Sequence, residues 1–222
     1  VYRNGTDLQS QGRWRDSNLV RWFDNTLRPI GGWRTRSDTA SAGQVRGLHS
    51  WIANNSDRWI AAGSYNKLYA YSGAGARYDI TPTGLTAGNE DALQPVGYGN
   101  AFYGLEYYGI ARQEVTTIVP ATTWAMDSWG EYLVACSSKD GKVYQWQLNT
   151  GTIAAPVANA PVNNRSILVT EERFLMCLGA GGNPRLVQWS DRENNTVWTP
   201  AATNEAGSLE LQTTGRIQCG VR

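Results

Sequence analysis

Histidine is almost missing from this chain: His49 is the only one among 222 residues. In Gly47-Leu48-His49-Ser50-Trp51 it alternates with apolar neighbours on a predicted strand, which fits a structural imidazole better than a general base. No Gly-x-Ser-x-Gly elbow accompanies it. Surplus charge is missing too. The 20 Lys and Arg against 19 Asp and Glu leave +1, far from the sustained basic field of a dedicated nucleic-acid binder. Lysine is confined to Lys67, Lys139 and Lys142. The three cysteines, Cys136, Cys177 and Cys219, are odd in number and lack the close pairing of a zinc site. They are expected to be small buried apolar side chains in a reducing compartment. No run of about 18 apolar residues is present, so no membrane-spanning helix is predicted, and no signal peptide is recognisable. The chain is expected to be soluble. Its first residue is Val1, so the true start is expected to be missing or processed.

What is abundant is aromatic and glycine residues, with 10 Trp, 11 Tyr and 24 Gly, within a chain that is 41% apolar and can fill a core. Helical periodicity is scarce, whereas short apolar runs bounded by Gly, Asn, Asp, Ser and Pro recur throughout. That pattern predicts an antiparallel all-β fold. Three segments align, beginning at Trp59, Tyr132 and Phe174. Each is an apolar strand, a turn-rich break (Tyr65-Asn66, Ser138 to Gly141, Ala180 to Pro184) and a strand that opens on a cation and ends in Tyr or Trp. A short strand precedes each, around Gly47 to Ile52, Thr122 to Met126 and Ser166 to Val169. A fourth is expected after each, near Arg77 to Ile80, Thr152 to Ala155 and Thr196 to Thr199.

The spacings between these starts are 73 and 42 residues. The second matches a propeller blade, and the first matches a blade plus an insertion of about 30 residues. A lone four-stranded meander has two apolar faces and cannot bury both, so neighbouring units must cover them. The expectation is therefore a β-propeller-like chain of repeated four-stranded antiparallel blades. Its parts are an Arg/Trp-rich arm at 1–36, a blade at 37–80, a Gly/Tyr-rich insertion at 81–121, blades at 122–164 and 165–214, and the start of a further blade at 215–222. A closed propeller typically needs at least four blades, so the chain is expected to be an incomplete part of a longer polypeptide, or to be closed by strands from 1–32.

Catalytic and metal signatures are weak. The Gly-rich Gly179 to Pro184 joins two predicted strands and lacks the Lys-Ser/Thr of a phosphate loop. The acids Asp79, Glu90, Asp91, Glu106, Glu171 and Glu172 have no spacing that pairs two of them across a cavity. No calcium-loop spacing occurs. No enzyme activity and no cofactor are expected. Ser138 to Trp146 has only a faint likeness to an Asp-box turn, because its Gly follows the Asp directly.

Two stretches are candidates for contact. In the insertion, Gly97 to Gly109 carries Tyr98, Tyr103, Tyr107 and Tyr108, each a flat apolar face with a polar tip. It is read either as an extra hairpin packed on its own blade or as a loop that meets a neighbouring subunit or lines an opening. The arm carries Arg13, Trp14, Arg15, Arg21, Trp22 and Trp33. Residues 1–36 hold seven Arg against three Asp, or +4, which leaves thirteen cations against sixteen acids, or −3, in the rest. Arg interleaved with Trp suits a protein interface, and it also suits phosphate pairing and base stacking.

Asn18-Leu19-Val20-Arg21-Trp22 followed by Pro29-Ile30-Gly31-Gly32-Trp33 resembles the opening of bacteriophage tail proteins. Ala62 to Tyr71 with Tyr78-Asp79-Ile80-Thr81-Pro82 looks like a blade of the same proteins, as does Gln188-Trp189-Ser190-Asp191 with Trp198-Thr199-Pro200. The resemblance is to the β-propeller tail nozzle proteins of short-tailed phages. It implies a virion structural protein that assembles in the host cytoplasm as a homo-oligomeric ring, commonly a hexamer. Such a ring sits below an adaptor, with fibre proteins around it, and encloses the channel for genome ejection. DNA would pass without sequence-specific binding. The alternative is a carbohydrate-binding or glycan-cleaving propeller acting in host-surface recognition, motivated by Trp146, Trp189 and Trp198 at strand ends. A WD-type scaffold lacks its recurring Gly-His and Trp-Asp pairs.

Overall fold

The computed structural model describes residues 6–9, 11–12, 17–32, 34–37, 39–93 and 118–221. The chain divides into two compact units, Val1–Arg36 and Ser37–Arg222. In the first, strands β1 (Val20–Phe23) and β2 (Thr26–Pro29) form an antiparallel hairpin. Asp24 and Asn25 make its two-residue turn with φ of 46° and 55°. Two consecutive left-handed residues give a turn whose twist matches that of the strands, and Asp and Asn tolerate this backbone better than bulkier residues.

The second unit is three four-stranded antiparallel sheets. The first is β3 (Gly47–Ile52), β4 (Arg58–Gly63), β5 (Leu68–Ser72) and β6 (Arg77–Asp79). The second is β7 (Trp124–Trp129), β8 (Tyr132–Ser137), β9 (Val143–Trp146) and β10 (Ala155–Pro156). The third is β11 (Ser166–Val169), β12 (Leu175–Leu178), β13 (Leu186–Trp189) and β14 (Gly207–Glu210). Within each sheet the strands lie side by side in chain order, so every connection joins neighbouring strands; most are short turns, whereas β13 and β14 are joined by the long segment 190–206.

The sheets stack in sequence because the middle one is apolar on both faces. In β8, Leu133 and Ala135 join Tyr144 and Trp146 of β9 in a core with Trp51, Trp59, Ala61, Leu68 and Ala70 of the first sheet. Val134 and Cys136 point the other way, into a core with Ile167, Val169, Leu175 and Cys177 of the third. Successive strand residues face opposite sides, which is why β8 reads as one unbroken apolar run instead of an alternation. Indole N–H groups are satisfied where they are buried. Trp124 Nε1 donates to the Ser64 carbonyl at 2.6 Å and Trp51 Nε1 to the Glu131 carbonyl at 3.0 Å. Trp59 and Trp146 meet edge to face with centroids 5.3 Å apart, a favoured aromatic geometry.

The structure corrects the sequence reading in four places. Ile60 pairs with Tyr71 and Leu133 with Trp146, but Trp189 pairs with Met176 instead of Leu175. The break before β13 folds as a 3-10 turn, Ala180–Gly182, with Gly179, Gly181 and Gly182 at positive φ. The resulting one-residue offset moves Trp189 to the opposite face from Trp146. The fourth strand of the third sheet is Gly207–Glu210, not the region of Thr196 to Thr199. There Trp198 is drawn into the core, its indole donating to the Asn195 carbonyl at 2.7 Å. No strand forms over 215–221; among the described residues the segment is tied by the Ile217 N–H donating to the Pro184 carbonyl at 2.9 Å. Cys136 and Cys177 are buried, whereas Cys219 is exposed.

Candidate functional site

Of the arm residues singled out by sequence, Arg21 and Trp22 are described. Both are exposed, with Trp22 at 63%. Arg13, Trp14, Arg15 and Trp33 lie outside the described residues, as do Tyr98, Tyr103, Tyr107 and Tyr108 of the insertion. Strand alternation puts Arg21 and Phe23 on one face of the hairpin, and the register adds Arg28 and Thr26 to it. The guanidiniums of Arg28 and Arg21 sit 5.0 Å and 5.9 Å from the centre of the Phe23 ring. Phe23 is itself 48% exposed. Val20, Trp22, Leu27 and Pro29 form the other face. Phe23 carried no sequence signal of its own; only its register opposite Thr26, beside two arginines, reveals it.

The root of the insertion is an antiparallel stem. Leu93 and Val119 exchange both backbone hydrogen bonds, at 2.9 and 3.0 Å, and Thr122 N–H donates to the Asn89 carbonyl at 3.0 Å. Asp140 ties the approach to this stem to the second sheet. Its carboxylate accepts from the Tyr144 hydroxyl and from the Thr86 N–H at 3.3 Å, and the Lys142 ammonium lies 3.6 Å away. Burial pushes the Asp140 carboxyl up, but the hydrogen bonds from Tyr144 and Thr86 outweigh it and leave it below its usual range. Burial, then the Asp140 bond, raise the Tyr144 phenol. The Ser138 to Trp146 hairpin thus uses its aspartate as an internal anchor.

The other titratable candidates are held in structural roles. His49 Nε2 lies 2.8 Å from Ser128 Oγ on the neighbouring sheet, and its ring stacks on Trp51. Asp79 pairs with Lys67 at 2.8 Å and Asp91 with Arg46 at 2.9 Å. Desolvation opposes ionisation of Asp79, yet the bonds from Lys67 and Thr81 prevail and lower its carboxyl. Burial pushes the Cys136 thiol up to about 12 and Cys177 well above its usual value, so neither is a nucleophile at neutral pH. Glu171 and Glu172 are exposed on the β11–β12 turn, and Glu106 lies outside the described residues. Among the described residues no group of three or more His, Cys, Asp or Glu is arranged to hold a metal ion, and no helix is long and apolar enough to cross a membrane.

Of the three tryptophans that motivated the carbohydrate alternative, Trp146 and Trp198 are buried. Only Trp189 reaches a cavity, of about 230 Å³, lined with Thr170, Phe174 and Met176 on the outer face of the third sheet. Small-molecule sites usually begin near ~300 Å³, so this one is sized for a single side chain. No protein-family model, curated protein or solved structure matches this chain.

Proposed function

We propose that this chain is a non-enzymatic structural component of a bacteriophage tail, part of a ring-forming nozzle through which the genome leaves the particle. The supporting observation is the stacking of like meanders, with a packing rule that continues past the first sheet. Where the second sheet presents Leu133, Ala135, Tyr144 and Trp146 to the first, the first carries Ile60, Ala62, Tyr69 and Tyr71 at the paired positions on its outer face; Ala62 and Tyr69 are already buried, the Tyr69 hydroxyl accepting from the Ala42 N–H at 3.2 Å, while Ile60 and Tyr71 are partly open. On that face Leu48 and Ile52 are 69% and 62% exposed. A surface built like a buried one favours a propeller-like ring in which another sheet packs there. The −3 balance of residues 37–222 suits a conduit wall to which DNA does not adhere. In this reading the protein assembles in the host cytoplasm as a ring, such as a hexamer, below an adaptor and with fibre proteins around it. Mass spectrometry and electron cryo-microscopy of purified particles test it. The protein is expected as a ring at the tail end, and its recovery only in the lysate, absent from particles, overturns the reading.

A further inference from the structure

The hairpin has an arrangement that its own residues do not explain. Arg21 and Arg28 are cross-strand partners, and like charges directly opposite one another destabilise a strand pair. Neither guanidinium is within ion-pair distance of a carboxylate among the described residues. Both instead lean over Phe23, which is half exposed. A two-stranded ribbon is marginal in water without a surface to pack on. Arg28 Nε donates to Thr26 Oγ1 at 3.3 Å, but neither guanidinium has a carboxylate partner among the described residues, and an exposed aromatic ring beside two arginines is a residue combination frequent among the anchors of protein interfaces.

The second unit offers a surface of the matching kind. The cavity lined by Thr170, Phe174, Met176 and Trp189 is apolar. Between Thr170 and Phe174 the chain turns through Glu171, Glu172 and Arg173, all exposed, with the Arg173 guanidinium 5.3 Å from the centre of the Trp129 ring and the two carboxylates leaving the turn net acidic. Glu205, whose carbonyl accepts the Trp189 indole N–H at 2.8 Å, adds a further exposed carboxylate at the same end of the sheet. The charges of the two units are opposite, +4 for residues 1–36 and −3 for the remainder.

We propose that the Arg21–Phe23–Arg28 face of one copy docks on the third sheet of a second copy, with Phe23 entering the cavity and the two guanidiniums pairing with Glu171 and Glu172. The inference rests on the ring reading above and names the contact that joins neighbouring copies. Because the hairpin and the cavity are different patches, the contact is heterologous, and repeating it generates a closed ring or an open filament.

Sedimentation velocity of the full chain at low and high salt tests this with two charge-reversed variants, Arg21→Glu/Arg28→Glu and Glu171→Arg/Glu172→Arg. The unaltered chain is expected to self-associate, less so at high salt. Each variant alone is expected to associate at least about tenfold more weakly. An equimolar mixture of the two is expected to recover association, because each arm then meets a cavity of opposite charge; this recovery also shows that both variants are folded. Association of the unaltered chain that both variants retain overturns the docking and leaves the ring reading standing. Variants that stay apart when mixed place the contact within one chain, or leave the outer face of the third sheet to another sheet of the same polypeptide, and also overturn it. Loss of single-stranded DNA binding by Arg21→Glu/Arg28→Glu, with association unchanged, assigns the arginines to nucleic acid instead. An unaltered chain that is monomeric under all conditions removes the ring reading itself.

Discussion

Alanine at Gly63 tests whether the stacking of the first two sheets is as tight as the structure has it. A Cβ built on Gly63 overlaps the Trp124 indole, and one on Gly207 overlaps the Trp189 indole in the same way. The surroundings differ. Trp124 is 7% exposed, clamped between two sheets, and its N–H is committed to the Ser64 carbonyl. Trp189 is partly exposed on an outer face; its N–H donates to the Glu205 carbonyl at 2.8 Å, but at an exposed site where water can take over that bond when the ring swings away. Overpacking a closed core costs about 1–3 kcal/mol, and displacing the indole also forfeits a buried hydrogen bond worth about 1 kcal/mol. Gly63→Ala is therefore expected to destabilise the protein by about 2–4 kcal/mol, and Gly207→Ala by under about 1 kcal/mol where the side chain relaxes. Urea unfolding reads the difference as a shift in midpoint at constant slope. Equal losses in the two variants, or none at Gly63, would refute a close-packed interface between the first and second sheets.

Further outcomes follow from the same geometry. Cys219 is exposed while Cys136 and Cys177 are buried, so a thiol reagent should modify one cysteine rapidly in the native protein, and Cys219→Ser should abolish that fast phase. Asp140 has a folded carboxyl below its usual range. Its stabilising contribution is thus complete above the unfolded-state value near ~4 and is lost as pH falls through the lower folded value. Asp140→Asn should cost about 1–3 kcal/mol at neutral pH, with the gap from the unaltered protein closing in acid; a gap that persists in strong acid contradicts this account. Ser128→Ala removes the partner 2.8 Å from His49 and should cost about 1 kcal/mol, measured by the same urea titration.

Much of the fold is legible in single residues. The strand starts at Gly47, Tyr132 and Ser166 follow from apolar runs set off by turn residues, and most strand pairing follows from short connections that join neighbours, the long 190–206 connection before β14 being the exception. Arg21 and Trp22 stand out in the sequence as interface candidates because Arg and Trp are frequent anchors, and the structure places both exposed on β1. The third sheet was less legible. A break of a few residues between two strands can close as different turns, and the 3-10 geometry at Ala180–Gly182 set the register that carries Trp189 to the outer face. Linear sequence holds no record of that choice, since it depends on which turn the surrounding contacts favour. For the same reason Trp198 reads as part of a strand yet serves as a core plug.

The sequence alone determined that the chain is β, that its strands come in meanders, and that each meander has two apolar faces, because these properties depend on alternation and turn chemistry within a few residues. Tertiary structure decided which faces meet. Leu133 and Val134 are adjacent and equally apolar, and only the stacking of three sheets sends one into the first core and the other into the second. It likewise decided that the Arg21 and Arg28 guanidiniums lie over the Phe23 ring, and that a cavity opens beside Glu171 and Glu172, since both depend on strand register.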